Sequence, residues 1–280
     1  LSGKSAAGIL FRNLLSLSAA IVPFVCSLAL VSPVLSGGAI TVSFTLPFNT
    51  GALFTADALS IFMAAVSSFI SSLIILFSFD YISHYDNQNE YYFMVVLFLG
   101  SMMGLALSAN LIIMYVFWEL TAITSWRLIG FFREKDYVRR ADKAFLVTVF
   151  GALAMLLGFI MLYQQAGSFD LSAIKESFRA GAVSHIAVAL IMAGILAKSA
   201  TLPFHTWLPD AGVAPSPVTA LLHAAVLVKI GVYVFARLFV ATIPMPAVWS
   251  TIVPVIAAVS ALVSAGAALR ETDLKRIVAY

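Results

Sequence analysis

Four charged residues stand in stretches that are otherwise apolar: Glu119, Arg127, Lys198 and Lys229. A charge at the centre of a bilayer costs about 2.5–3.5 kcal/mol on insertion scales, so each needs a partner or a wet cavity. Glu119 and the two lysines can exchange protons; a guanidinium keeps its proton at any working pH. Glu119 sits mid-stretch in Met114-Tyr115-Val116-Phe117-Trp118-Glu119-Leu120-Thr121. It reads as a titratable proton site, or the acid that tunes one; the plainer alternative is a carboxylate that pins helices by hydrogen bonds. Lys198, in Ala193-Gly194-Ile195-Leu196-Ala197-Lys198-Ser199-Ala200, lies too far from an expected helix end to snorkel easily. Pro203 and Pro209 follow, six residues apart, and are expected to break its helix. A broken helix frees backbone groups and a dipole end beside Lys198, an arrangement that transporters use for ion sites. His205, beside the break, reads as polar lining. His223 precedes Lys229 by six positions, about 120° round an ideal helix, so the two are expected on adjacent sides of one water path. Arg127, eight residues after Glu119, reads as an interfacial anchor.

A carboxylate near a buried lysine would hold its proton. At about 4 Å and an effective dielectric near 20 the attraction is roughly 4 kcal/mol. Moving or protonating Glu119 would then switch Lys198 between holding and releasing a proton, provided the fold brings the two together.

These residues need a membrane bundle to position them. The chain has 280 residues, 62% hydrophobic and 10% charged. Soluble domains carry about 25% charged residues. The composition excludes an ordinary cytosolic enzyme, a disordered tail and a nucleic-acid-binding domain. The net charge of +3 is a mild cation excess, not a polyanion-binding stripe. Eight stretches are long and apolar enough for bilayer spans of about 20 residues: 13–35, 58–82, 91–109, 110–132, 143–164, 184–208, 217–241 and 247–269. Residues 38–46 alternate and are β-branched, and Pro47, Asn49, Thr50 and Gly51 follow; this predicts a short strand or hairpin outside the bilayer. Residues 165–183 predict a second extramembrane piece with a short surface helix. The expected fold class is all-α, a polytopic transmembrane helix bundle with a broken helix and a short extramembrane β-hairpin near the N-terminus.

With a cytoplasmic N-terminus, ten cations fall on the cytoplasmic side: Lys4, Arg12, five between 133 and 143, Arg270, Lys275 and Arg276. Three fall opposite: Lys175, Arg179 and Arg237. That asymmetry supports this orientation in a cytoplasmic (inner) membrane, bacterial or archaeal. Cys26 is the only cysteine and reads as a small buried apolar residue. One thiol makes no internal disulfide and holds no cluster or zinc alone. No Gly-rich dinucleotide turn follows a strand and no His pair has ligand spacing, so neither cofactor nor metal is expected. Residue 1 is Leu, and the last residues stop as an apolar segment begins; this is the pattern of a piece of a longer protein.

Several motifs resemble the antiporter-like subunits of respiratory complex I and Mrp-type cation/proton antiporters. Phe117-Trp118-Glu119-Leu120-Thr121 with Leu128-Ile129-Gly130-Phe131 resembles their glutamate helix. Lys198-Ser199-Ala200 with Leu202-Pro203-Phe204-His205-Thr206-Trp207-Leu208-Pro209-Asp210-Ala211 resembles their broken lysine helix. Residues 214–225 with Val228-Lys229-Ile230-Gly231-Val232-Tyr233 resemble the following helix, and residues 273–280 the start of the next. The resemblance runs from about residue 50 onward. Lys143–Gly151 and the strand after residue 38 lean towards the Mrp large subunit.

The resemblance implies a proton-translocating subunit with paired five-helix repeats. Glu119 and Lys198 fall on the family's Glu–Lys pair, and Lys229 and His223 on its central polar axis. His205, Thr121, Ser199 and Asp210 would line the path. The implied organisation is 1–57 for an N-terminal helix and hairpin, 58–110 for peripheral helices, 110–245 for the first repeat, and 246–280 for the start of the next region. Implied partners are other membrane subunits, the lipid bilayer and protons, with sodium open. The chain is not expected to be a redox catalyst by itself, though a place in an NADH:quinone oxidoreductase-type complex fits. The alternative is a non-transporting membrane scaffold. Arg127 departs from the family pattern, which has an apolar residue there.

Overall fold

A computed structural model describes residues 5–46, 50–179 and 181–280. Lys4, Pro47 and Asn49, named above, lie outside the described residues. The chain runs through α1 (Ala6–Gly37), β1 (Ile40–Leu46), β2 (Thr50–Ala56), α2 (Ala58–Tyr81), α3 (Gln88–Leu107), α4 (Leu111–Ile129), α5 (Lys135–Ala166) and α6 (Leu171–Ser177). It continues through α7 (His185–Lys198), α8 (Trp207–Asp210), α9 (Ser216–Thr219), α10 (Leu227–Phe235), α11 (Ala247–Ala268) and α12 (Leu274–Ala279). π-helical turns at Ala220–Ala225 and Ala236–Val240 join α9 to α10 and extend α10.

Among the described residues, seven helices are long and apolar enough to cross a membrane: α1, α2 with its last turn, α3, α4, α5, the segment Ser216–Val240, and α11. The stretch expected at 184–208 is different: its helix stops at Lys198 after 14 residues. β1 and β2 form the expected hairpin, antiparallel with Ile40 opposite Ala56 and Phe44 opposite Ala52. The expected surface helix is α6.

Local sequence sets the helix starts. Asp57 caps α2, accepting from Ser60 N at 2.9 Å, while the Ser60 hydroxyl contacts Asp57 N at 2.7 Å, a reciprocal capping box. Asn110 caps α4 by accepting from Ile112 N and donates from its amide to Asp170 at 2.7 Å. α5 and α7 cross tightly because glycine faces glycine. A Cβ on Gly194 would stand 2.6 Å from Met155 Cβ and 2.9 Å from the Gly151 carbonyl. That close approach fixes the height of Lys198 against α5.

Charged side chains gather at the two ends of the bundle. Glu90 pairs with Arg127 and with Arg133, and Lys143 Nζ donates to Asp210 at 2.6 Å. At the hairpin end Arg237 pairs with Asp57. Cys26 departs from expectation: it is exposed, because α1 lies at the bundle edge and turns most of its apolar surface outward.

Candidate functional site

Lys198 is completely buried, and it is the last residue of α7. The sequence places it far from a helix end; the structure corrects this by ending the helix inside the bundle. Nor does Pro203 make the stop. Thr201 N donates to Leu196 O at 2.9 Å and Ala200 N to Ala197 O at 3.4 Å, the two bonds of a Schellman cap. The residue at its left-handed position is Ala200, with φ +50°, where glycine is usual. Pro209 lies within the single turn of α8, where a missing N–H costs nothing. The Trp207 indole N–H closes the break by donating to Ala197 O at 2.9 Å.

The ammonium of Lys198 meets α4 one residue from Glu119. Its Nζ donates to the Trp118 carbonyl at 3.2 Å and lies 5.4 Å from the Trp118 ring centroid. The Thr121 hydroxyl donates to that same carbonyl at 2.7 Å. Among the described residues no direct ion pair joins Lys198 to Glu119, whose Oε1 is buried without a hydrogen-bond partner. Charge on Lys198 is therefore spread over a carbonyl, an aromatic face and the negative end of the α7 dipole. Trp118 is a neighbour of Lys198 that the charge pattern does not single out. Its only sequence signal is its place beside Glu119.

Among the described residues, buried polar atoms on three other expected path residues also lack partners. They are Ser199 Oγ, His205 Nδ1, and both ring nitrogens of His223. Such atoms are rare in folded interiors, because each costs about 1–3 kcal/mol if left dry. His223 sits in the π-helical turn Ala220–Ala225, and the chain departs from helical geometry at Val226 (φ −130°, ψ −59°). Lys229 Nζ donates to the His223 backbone carbonyl at 3.5 Å. The Lys229 side chain is exposed on this chain, whereas His223 is buried. Gly231 permits the approach of α10 to the break, since a Cβ there would fall 1.9 Å from Ser199 Oγ. Asp210 is bound to Lys143, whose Nζ also donates to the carbonyl of Thr206, next to His205. Arg127 is tied to Glu90 as an end anchor.

A polytopic helix bundle arranged round an interrupted helix with an interior lysine defines a class of membrane protein. Residues 108–280 match the family described as "NADH:quinone oxidoreductase/Mrp antiporter, TM", and residues 42–93 match "NADH-Ubiquinone oxidoreductase (complex I), chain 5 N-terminus". The chain belongs to this antiporter family. It is 39% identical to the A subunit of the Na(+)/H(+) antiporter of Alkalihalophilus pseudofirmus, over 93% of this chain and 33% of that protein. It is 36% identical to the A1 subunit of the Na(+)/H(+) antiporter of Staphylococcus haemolyticus, again over 93% and 33%. Among solved structures it resembles the Mrp complex from Dietzia sp. DQ12-45-1b, with TM-score 0.86 and 28% identity, over 96% of this chain and 30% of that one. It shares the fold of an archaeal membrane-bound sulfane sulfur reductase chain at TM-score 0.84 and 20% identity, over 99% of this chain and 57% of that one. The chain thus spans about a third of the length of the curated relatives. The spans and the bacterial relatives make it an integral protein of the bacterial inner membrane. The relatives are subunits of multi-subunit membrane assemblies.

Proposed function

We propose that this chain carries one proton half-path of an Mrp-type cation/proton antiporter large subunit. Protons pass by way of Glu119, Lys198, His223 and Lys229, with Thr121, Ser199 and His205 as lining. Residues 110–245 hold that half-path as the first repeat. Partner membrane subunits supply the rest, and sodium is the counter-transported ion, as the names of the relatives suggest.

One observation carries the reading: among the described residues, buried polar atoms without partners include those on Glu119, Ser199, His205 and His223, which can hold or relay a proton, beside others on Trp118, Ser67, Ser71, Trp249 and Arg276. A scaffold would pair them or replace them with carbon. Groups that hand protons on need a free lone pair or a free N–H. Arrival of a proton at Glu119 removes the attraction across Trp118 that holds the Lys198 ammonium. Lys198 then passes its proton towards Ser199 and His223.

The test is proton transport by the full-length protein in its complex, with Glu119→Gln and Lys198→Ala. Both variants are expected to assemble, with transport lowered by about 100-fold, the scale of losing a positioned proton carrier. Normal transport in both would replace this reading with the scaffold one.

A further inference from the structure

Helix α2 holds a row of buried serines, and they divide sharply. Ser68, Ser72 and Ser78 return their hydroxyls to the helix's own carbonyls, donating to Ala64 O at 2.6 Å, Ser68 O at 2.8 Å and Ile74 O at 2.6 Å. That is the default for a serine on a helix in apolar surroundings. Ser67 and Ser71 are completely buried, and among the described residues neither hydroxyl has a partner. Four positions apart, they lie on one face about 6 Å apart in height.

Besides α1 and α3, one further segment packs against α2, and its height against the two serines can be located. α2 packs against the π-helical turn that carries His223, and the two run antiparallel between two ties. At one end Ser216 N donates to the Tyr81 hydroxyl at 3.5 Å; at the other Arg237 grips Asp57. Counting inward from both ties sets Ser71 about level with residues 223–226 and Ser67 about level with residues 227–230. His223, only 6% exposed and with both ring nitrogens unpartnered, is at the height of Ser71.

We propose that Ser67 and Ser71 form a second wall of the proton path, holding a hydrogen-bonded chain of water against His223. The inference rests on the proton-path reading above. A serine hydroxyl donates one hydrogen bond and accepts others, so it orients water without itself changing charge. The π-helical turn re-aims His223, a common use of such turns at functional sites. Lys229, bound to the His223 carbonyl, supplies charge at the far end of the same stretch.

The experiment measures proton-coupled transport per assembled antiporter complex. The variants are the double alanine (Ser67→Ala, Ser71→Ala), the double threonine, and a control with Ser68→Ala and Ser72→Ala. The double alanine is expected to fall about tenfold, the size of one lost hydrogen bond at the rate-limiting step, with threonine and control near normal. Full transport in the double alanine, or equal loss in the threonine or control variants, overturns the proposal. Glu119→Gln run beside them separates the two ideas. If it too transports fully, the proton-path reading itself has failed; if it is inactive while the double alanine is normal, only the serine wall has. Should the double alanine not assemble, a water-resolving density map of the unaltered complex decides. Water in reach of both hydroxyls supports the proposal, and dry contact with aliphatic carbon overturns it.

Discussion

The ends and the middle of this bundle treat charge in opposite ways. At the ends, Glu90 holds Arg127 and Arg133, Asp210 holds Lys143, and Asp57 grips Arg237 through both its oxygens. In the middle, Lys198 leans on a neutral carbonyl, and Glu119 and His223 keep atoms with no partner at all. Arg237 extends the tidy end pattern: its guanidinium also contacts the Tyr233 hydroxyl, which donates to the Ala106 carbonyl and so ties α10 to α3. Pairing at the ends stabilises the fold. Leaving the middle unpaired costs stability and leaves groups free to exchange protons.

The comparison is sharpest at Asp57. Asp57→Ala leaves Arg237 buried without its carboxylate, and should destabilise the complex by about 3–5 kcal/mol, read as a fall in thermal midpoint. Replacing both residues with leucine should recover most of that loss. Glu119→Gln should barely move the midpoint while lowering transport about 100-fold; the reverse pattern would erase the distinction between ends and middle. Burial raises the Asp57 carboxyl, but the hydrogen bonds from Arg237 and Ser60 outweigh it and push it down to about 2 from the ordinary 3.8. A depressed carboxylate contributes stability above its ordinary value, and that contribution drains away as pH falls from about 4 to about 2. Asp57→Asn should flatten the acid limb of the stability curve in that window.

Next in size is the α5–α7 crossing. Gly194→Ala drives a methyl against Met155 and the Gly151 carbonyl, and should cost about 1–3 kcal/mol. Because the crossing sets the height of Lys198, transport should fall with it; transport unchanged at lower stability would detach the crossing from the site. Ala200→Gly relieves a left-handed alanine and should stabilise by about 1 kcal/mol, raising the thermal midpoint. Smallest is Glu90→Gln, whose ion pairs are partly exposed; a loss of about 1 kcal/mol or less is expected from a denaturation series.

Much of this was legible in the residues themselves. Apolar stretches of span length give the long helices, because every backbone polar group must be satisfied within its own segment in lipid. The alternation at 40–46 gives a strand because side chains on a strand have a period of two. Glu119, Lys198, His205 and His223 stood out because charge and imidazole are expensive in apolar stretches. What needed tertiary structure was where those stretches end and what meets across them. The proline pair marked a break near Lys198, but the cap at Ala200, which no propensity favours, set its position. The π-helical turn that carries His223 changes the residues per turn, and nothing local announces it. Cys26 is apolar in pattern yet exposed, since periodicity cannot distinguish an inner helix from an edge helix when both surroundings are apolar.

The chain alone therefore determined its solvent, all but one of its expected spans and the short list of residues able to carry a proton. The tertiary structure decided which of them are paired and which are left free. The reason is physical: hydrophobicity and helix propensity act within a segment, whereas pairing depends on distances between segments far apart in sequence. Arg237 and Asp57 meet across 180 residues, and Lys198 reaches the Trp118 carbonyl across 80.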